Sequence, residues 1–556
     1  MKAAQTAPKR SGFATFPGSP PVLIDRRSLL VGAGALTAAS PLFAAGGVAE
    51  HGFTHSVASG EPAAGSVLLW TRCVIPGGRA GEVTAEIAEQ PDMSGARPAG
   101  AQITGPWRDY TVKLTADGLA PDRWYWFRFV APDGTRSPIG RTRTLPADGT
   151  RTWRAAIFSC SNLGYGWFNA YAHAAARDDL DCAVHLGDYF YEYSPDHYPA
   201  AKETIPGRLP MPLAETVHLV DYRQRFASYR ADPDLQRLHA RLPMIAQWDD
   251  HESANDSWEG GAQNHDPATE GDWNQRRAAS IQAYREWMPV SDEPWKAYDI
   301  GALATLFRTE TRLLGRTQQP DLDGLFRSAD PTAALRAFRD GAWQDPGATM
   351  MGWQQESWLD HALAASVRSG RTWQVVGFGT IMGQTDMPAD AATWMRGSTD
   401  RGSSYVRNGI AAAAVGLPFN VDNWGGYPAA RTRFLRQAQA LGGNTVLISG
   451  DSHNAWAYDL AHDDHAAAVE FAGHSVTSPG FESATSYDPK RIAADLVRTN
   501  CELKWCDTAR RGYMALTLAA DAVRNDWIMV DTILKHTPAA TIGHTATVAR
   551  GRNVMA

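Results

Sequence analysis

The chain has 556 residues, a net charge of −7 and a 44% hydrophobic share. It is long enough for several domains and apolar enough for large cores, and without a basic block it carries no sign of a nucleic-acid-binding surface. Five cysteines are too few for a disulfide framework; Cys501 and Cys506 are close enough to pair, and a reduced pair fits equally well.

Residues 1–46 read as an export signal. Arg26-Arg27 precedes a mild apolar stretch from Val31 to Ala39, Pro41 interrupts it, and Ala44-Ala45-Gly46 supplies small residues for cleavage. Paired arginines before a Gly/Ala-rich segment mark the twin-arginine route, which carries folded proteins. The stretch is too short to span a bilayer comfortably, and no other segment is a candidate. The expectation is a periplasmic or secreted chain that meets the twin-arginine machinery and has no transmembrane span once mature.

Residues 48–147 alternate as strands. Val67–Arg72 is one, and Trp124–Val130 is another, with Tyr125, Phe127 and Phe129 on one face and the Asp133-Gly134 turn after it. Several short strands over about 100 residues predict a small all-β, fibronectin-like sandwich. No catalytic cluster lies inside it.

After a linker at 146–150, apolar runs alternate with helical patterns, which predicts an α/β layered domain over 151–540. Four runs each end on a metal-type ligand. Ala155–Phe158 leads to Cys160; Cys182–Leu186 to Asp188 and Tyr191; Met244–Trp248 to Asp249-Asp250-His251-Glu252; and Thr445–Ile448 to Asp451 and His453. Such runs read as buried strands, and ligand sites lie beyond the carboxyl ends of strands in α/β sheets. Together they predict a polynuclear metal site. A fifth strand is expected at Trp373–Phe378, and helices over Ile281–Met288 and Trp353–Val367. The segment from Ser194 to Pro212, with five prolines, is expected to form a wall or lid beside the site. Residues 541–556 are polar and expected as a loose tail.

The residue types indicate the chemistry. A phenolate at Tyr191 favours a hard trivalent ion such as iron(III), and a carboxylate at Asp188 can bridge two metals. Alone, that pair reads equally as a turn acid beside a packed tyrosine. Three acids and an imidazole over 249–252 are costly to bury unless a cation neutralises them. Asn255 is a further oxygen donor. Asp451 and His453, two apart in extended chain, point to the same side. A lone Cys160 is more often a small buried hydrophobe; its place in the set of four raises it. Arg312, after the apolar Leu303–Phe307, suits bidentate phosphate capture or an ordinary strand-end ion pair.

Taken together these motifs resemble the PhoD-type alkaline phosphatase/phosphodiesterase family of the calcineurin-like metallophosphoesterases. The resemblance rests on Phe53-Thr54-His55-Ser56-Val57-Ala58-Ser59-Gly60-Glu61-Pro62, Phe158-Ser159-Cys160, Gly187-Asp188-Tyr189-Phe190-Tyr191, Trp248-Asp249-Asp250-His251-Glu252, Glu310-Thr311-Arg312 and Gly450-Asp451-Ser452-His453. It implies a β-sandwich flanked by helices as the catalytic fold. It implies Fe(3+) held by Cys160, Asp188, Tyr191 and His453, with Ca(2+) close by on Asp188, Asp250 and Asp451. It implies His251 as the phosphate-contacting histidine, Arg312 as the phosphate-binding arginine, and weaker roles for Asp249 and Asn255. The family usually shows an acid where Trp424-Gly425-Gly426-Tyr427 has Gly425, and more often amides over Gly377–Gly383. Both departures bear on substrate choice.

The expected activity is hydrolysis of phosphate mono- or diesters by a metal-bound hydroxide. Two alternatives stand beside it: a phospholipase D-like phosphodiesterase of the same family, and a non-catalytic metal-binding surface protein.

Overall fold

The computed structural model describes residues 51–556 except 196, 397 and 399. The export signal expected at 1–46 lies outside the described residues.

The strands are β1 (Gly52–Gly60), β2 (Ser66–Val74), β3 (Gly81–Ala88), β4 (Arg97–Thr104), β5 (Thr111–Asp117), β6 (Trp124–Val130), β7 (Gly140–Arg143), β8 (Thr152–Phe158), β9 (Cys182–His185), β10 (Met244–Ala246), β11 (Lys296–Ile300), β12 (Ala304–Arg308), β13 (Trp373–Phe378), β14 (Thr445–Ser449), β15 (Ala455–His462), β16 (His465–Ala472), β17 (Leu503–Asp507), β18 (Gly512–Ala519), β19 (Ala522–Val530) and β20 (Ala540–Ala549). They form three sheets, ordered β20-β19-β18-β8-β9-β10-β1-β2-β5, β11-β12-β13-β14-β16-β15-β17, and β4-β3-β6-β7.

The two large sheets pack face to face. Ile157, Val184, Leu186 and Ile245 of the first meet Leu306, Val375, Val446 and Ile448 of the second in one buried layer. Helices Leu219–Arg230, Pro233–Arg241 and Trp273–Trp287 cover the outer face of the first sheet. Trp353–Arg368, Pro428–Ala440 and Pro489–Thr499 cover that of the second. Burial on both faces explains why the central strands read as unbroken apolar runs. β8, β9 and β10 run parallel, as do β12, β13, β14 and β16. Their carboxyl ends therefore open on one side of each sheet. The four ligand-bearing strands do not share a sheet: β8, β9 and β10 belong to the first and β14 to the second.

The N-terminal strands divide. β1, β2 and β5 extend the first large sheet, and β4-β3-β6-β7 packs over them through Val57, Leu69, Val83, Phe127 and Phe129. β1 meets β10 in parallel at Gly60 and Met244. Over the described residues from His51 to Ala556 the chain is one compact unit, so the linker at 146–150 is not a gap between bodies.

The expected loose tail is corrected. Residues 540–549 form β20, antiparallel to β19, with Ala546 and Val548 buried. Its polar residues are the exposed half of an edge strand, and the apolar half is too short to stand out in the sequence. Beyond it, the Met555 N–H donates to Asp459 Oδ1 at 2.9 Å. All five cysteines are free, so Cys501 and Cys506 form no bridge. Among the described residues no helix is long and apolar enough to cross a membrane.

Candidate metal centre

The site lies where the two sheets present their strand ends. Cys160, Asp188, Asp451 and His453 all take left-handed backbone, at φ 61°, 54°, 63° and 59°. Non-glycine residues pay for that conformation, and clusters of it mark functional sites. Glycines let the loops close in. A Cβ on Gly187 would lie 2.4 Å from the Asp249 Cβ, and one on Gly379 would lie 2.3 Å from Asp249 Oδ1.

Three groups of donor atoms converge within 4.8 Å each: Cys160, Asp188 and His453; Asp188, Asp250 and His251; and Asp188, Asp249, Asp250 and Asp451. Asp188 belongs to all three. The Tyr191 hydroxyl joins the first group, 3.2 Å from Asp188 Oδ2 and 3.0 Å from His453 Nε2, and it accepts from Ser478 Oγ at 2.7 Å. His453 Nδ1 donates to the Pro479 carbonyl at 2.9 Å, which fixes the ring and leaves Nε2 as an acceptor. Asp250 Oδ2 accepts from the Asp256 N–H at 2.7 Å. His251 Nδ1 meets Glu192 Oε2 at 2.7 Å.

Electrostatics make this cluster unstable without a cation. Burial, then the charges of Asp250, Asp249 and Glu252, push the Asp188 carboxyl well above its usual range against the opposing charge of His251. Burial and Asp249 push Asp451 up to about 8. Asp250 is held below the usual range, because Arg312 and His251 outweigh its burial. Burial raises Cys160 and Tyr191 and lowers His453 to about 3. Burial alone would lower His251, yet Asp250, Glu192 and Asp188 raise it well above an ordinary histidine. Asp188 Oδ1 and Asp250 Oδ1 are buried without a hydrogen-bond partner. Buried carboxylate oxygens normally find partners, and a metal ion satisfies both the missing bond and the repulsion. The donor set fits metal ions.

Arg312 is not a free phosphate clamp. Its Nε and Nη2 donate to Asp249 at 2.7 and 3.0 Å, and Nη1 donates to both oxygens of Asp422 at 2.9 and 2.7 Å. It is fully buried, and the strand-end ion pair is the arrangement observed. Asn255 stands on the Glu192 side: its N–H donates to Glu192 Oε1 at 2.7 Å and its amide to Gln263 at 3.1 Å. The 194–212 segment is held by buried Arg225, which donates to the carbonyls of Tyr193, Met211, Pro212 and Ala214. Tyr198 of that segment packs 5.6 Å from Tyr191, so it walls the site.

Sequence reasoning missed four supports. Glu252 accepts the N–H groups of Asp188, Tyr189 and Asp249 and so locks two ligand loops together. Glu310 accepts those of Arg312, Leu313 and Leu314. Asp422 joins Arg312 to Arg316. Glu192 orients His251. The neighbouring acids at 249–252 hinted at Glu252; nothing local marked Asp422.

The family model for PhoD-like phosphatases matches residues 155–527, and the model of its N-terminal domain matches 38–146. The chain belongs to the PhoD-like phosphatase family. It is 29% identical over 539 residues to alkaline phosphatase D of Bacillus subtilis (strain 168), covering 90% of this chain and 84% of that protein. A solved structure of PhoD superposes with a TM-score of 0.74 at 26% identity, over 90% of this chain and 91% of the other. The purple acid phosphatase PPD1 from yellow lupin shares the fold, with a TM-score of 0.52 at 12% identity over 90% and 75% of the two chains. As a PhoD-like phosphatase the chain is a phosphoester hydrolase.

Proposed function

We propose that the chain is an exported, metal-dependent hydrolase of phosphate mono- or diesters, with iron(III) on Cys160, Asp188, Tyr191 and His453 and calcium on Asp188, Asp250 and Asp451. The observation that carries this reading is Asp188, shared by every donor group and left with a buried, unpartnered oxygen. When bound, the metals neutralise phosphate oxygens and supply the attacking hydroxide. Asp188 and Asp250 fix the charge balance. His251, held through Nδ1 by Glu192, would give its other ring proton to the leaving oxygen. Arg312 positions Asp249 and Asp422. Glu252 keeps the Asp188 and Asp249 loops in register, and Tyr191 and Tyr198 limit water around the cluster.

The test is hydrolysis of 4-nitrophenyl phosphate and its bis-ester before and after chelation. Activity should vanish with the metals and return with iron and calcium together. Full activity in chelated protein would refute the reading, and the faster ester decides between phosphatase and phosphodiesterase. Export rests on Arg26-Arg27. Replacing both by lysine should leave the protein in the cytoplasm, and normal accumulation outside would refute the twin-arginine route.

A further inference from the structure

The hydrolysis just described uses Tyr191 and Tyr198 alone of the aromatic residues, yet further rings crowd the site from two sides. On one side Tyr198 lies 5.6, 5.7 and 5.0 Å from Tyr191, Tyr193 and Tyr165, and Tyr193 lies 5.6 Å from His251. On the other side the chain leaves Pro479, whose carbonyl orients His453, and runs on to Phe481. The Phe481 N–H donates to Asn454 Oδ1 at 3.3 Å, one residue from His453. Tyr405, on helix Asp400–Ala413, rests 5.9 Å from Phe481 and 5.5 Å from Phe419, and those two rings are 6.4 Å apart.

The difference in exposure is decisive. Phe481 is 8% exposed and serves as backing, whereas Tyr405 is 40% exposed. A tyrosine laid on two phenylalanines keeps a fixed orientation and still offers a face. Phe481 follows Pro479, the acceptor of the His453 Nδ1 proton, by two residues, so this stack of rings sits beside the His453 loop rather than on remote surface. Phosphorus at the acid cluster leaves the ester's alcohol between these walls. Planar faces there favour planar, aromatic partners through offset or edge contacts.

We propose that Tyr405, backed by Phe419 and Phe481, forms a leaving-group subsite that selects phosphate esters of aromatic alcohols. The proposal rests on the phosphoesterase reading above. It is tested on the metal-loaded chain with 2-naphthyl and phenyl phosphate, whose alcohols are of similar acidity but differ in ring area. Wild type should favour the naphthyl ester about tenfold in kcat/KM, mainly through KM. Tyr405→Phe should keep that ratio, because the ring and not the hydroxyl makes the contact. Tyr405→Ala should bring it within about twofold, with inhibition by inorganic phosphate, which carries no alcohol, unchanged. Tyr405→Leu keeps apolar volume against a folding defect and should lose most of the preference as well. An unchanged ratio in Tyr405→Ala, or an equal loss in Tyr405→Phe, overturns the proposal. Equal cleavage of both esters by wild type overturns the subsite alone, whereas cleavage of neither overturns the phosphoesterase reading with it.

Discussion

Asp188 stands between donors of two kinds, sulfur, phenol and imidazole on one side and carboxylates on the other, and its backbone is bent to reach both. The residue scale also separates groups that touch the chemistry from groups that hold it. Arg312 shows the difference. A clamp reserved for substrate would be idle in ligand-free protein, but this guanidinium pairs with one buried carboxylate, Asp249, and one half-buried carboxylate, Asp422. Arg312→Ala should therefore cost about 3–5 kcal/mol of stability with no substrate present, because it leaves buried Asp249 without its cation, while Asp422 keeps only Arg316. Urea melts of metal-loaded, substrate-free protein check this, and an unchanged midpoint would return Arg312 to a purely substrate-facing role. The candidate donors Cys160, Asp188, Asp250, Asp451 and His453 could be picked out in the sequence because each follows an apolar run. Asp422 was not, because it sits in a loop and its role depends on where Arg312 points.

At the scale of elements, the strand ends matter more than the strands. β6, β9, β13 and β14 were legible as apolar or alternating runs. The pairing of β20 with β19 was not, since an edge strand needs only half its residues apolar and its partner sets the register. Nor could the runs reveal that their ends belong to two sheets. One contact that ties those sheets together is Glu61, just after β1. Its carboxylate accepts from Arg308 of β12 at 2.7 Å and from Lys296 of β11 at 2.9 Å. Burial would raise its pKa, but those two charges bring it from 4.5 to about 2. A carboxyl depressed on folding contributes stability above its unfolded value and loses it as pH falls towards the folded one. The contribution is about 3 kcal/mol at neutral pH, fading between about pH 4.5 and 2. Glu61→Gln should thus be less stable than wild type at pH 7, and the gap should narrow below about pH 4.5. A gap independent of pH would show that packing, not charge, joins the sheets there.

For the whole molecule, two packed sheets with helices outside create a single edge where parallel strands end together. Loops from both sheets meet at that edge, so residues as distant as Cys160 and His453 become neighbours without any local signal linking them. Order and residue type along the chain made the converging donor groups legible, whereas the supporting acids and the aromatic walls emerge only from the fold. In the proposed site Asp188 binds both kinds of metal at once. Elemental analysis of purified Asp188→Asn beside wild type tests it most directly. The substitution keeps shape but removes the charge both ions need, so the protein should lose iron and calcium together, with turnover falling roughly a thousandfold. Retention of either metal at wild-type occupancy would contradict the shared carboxylate.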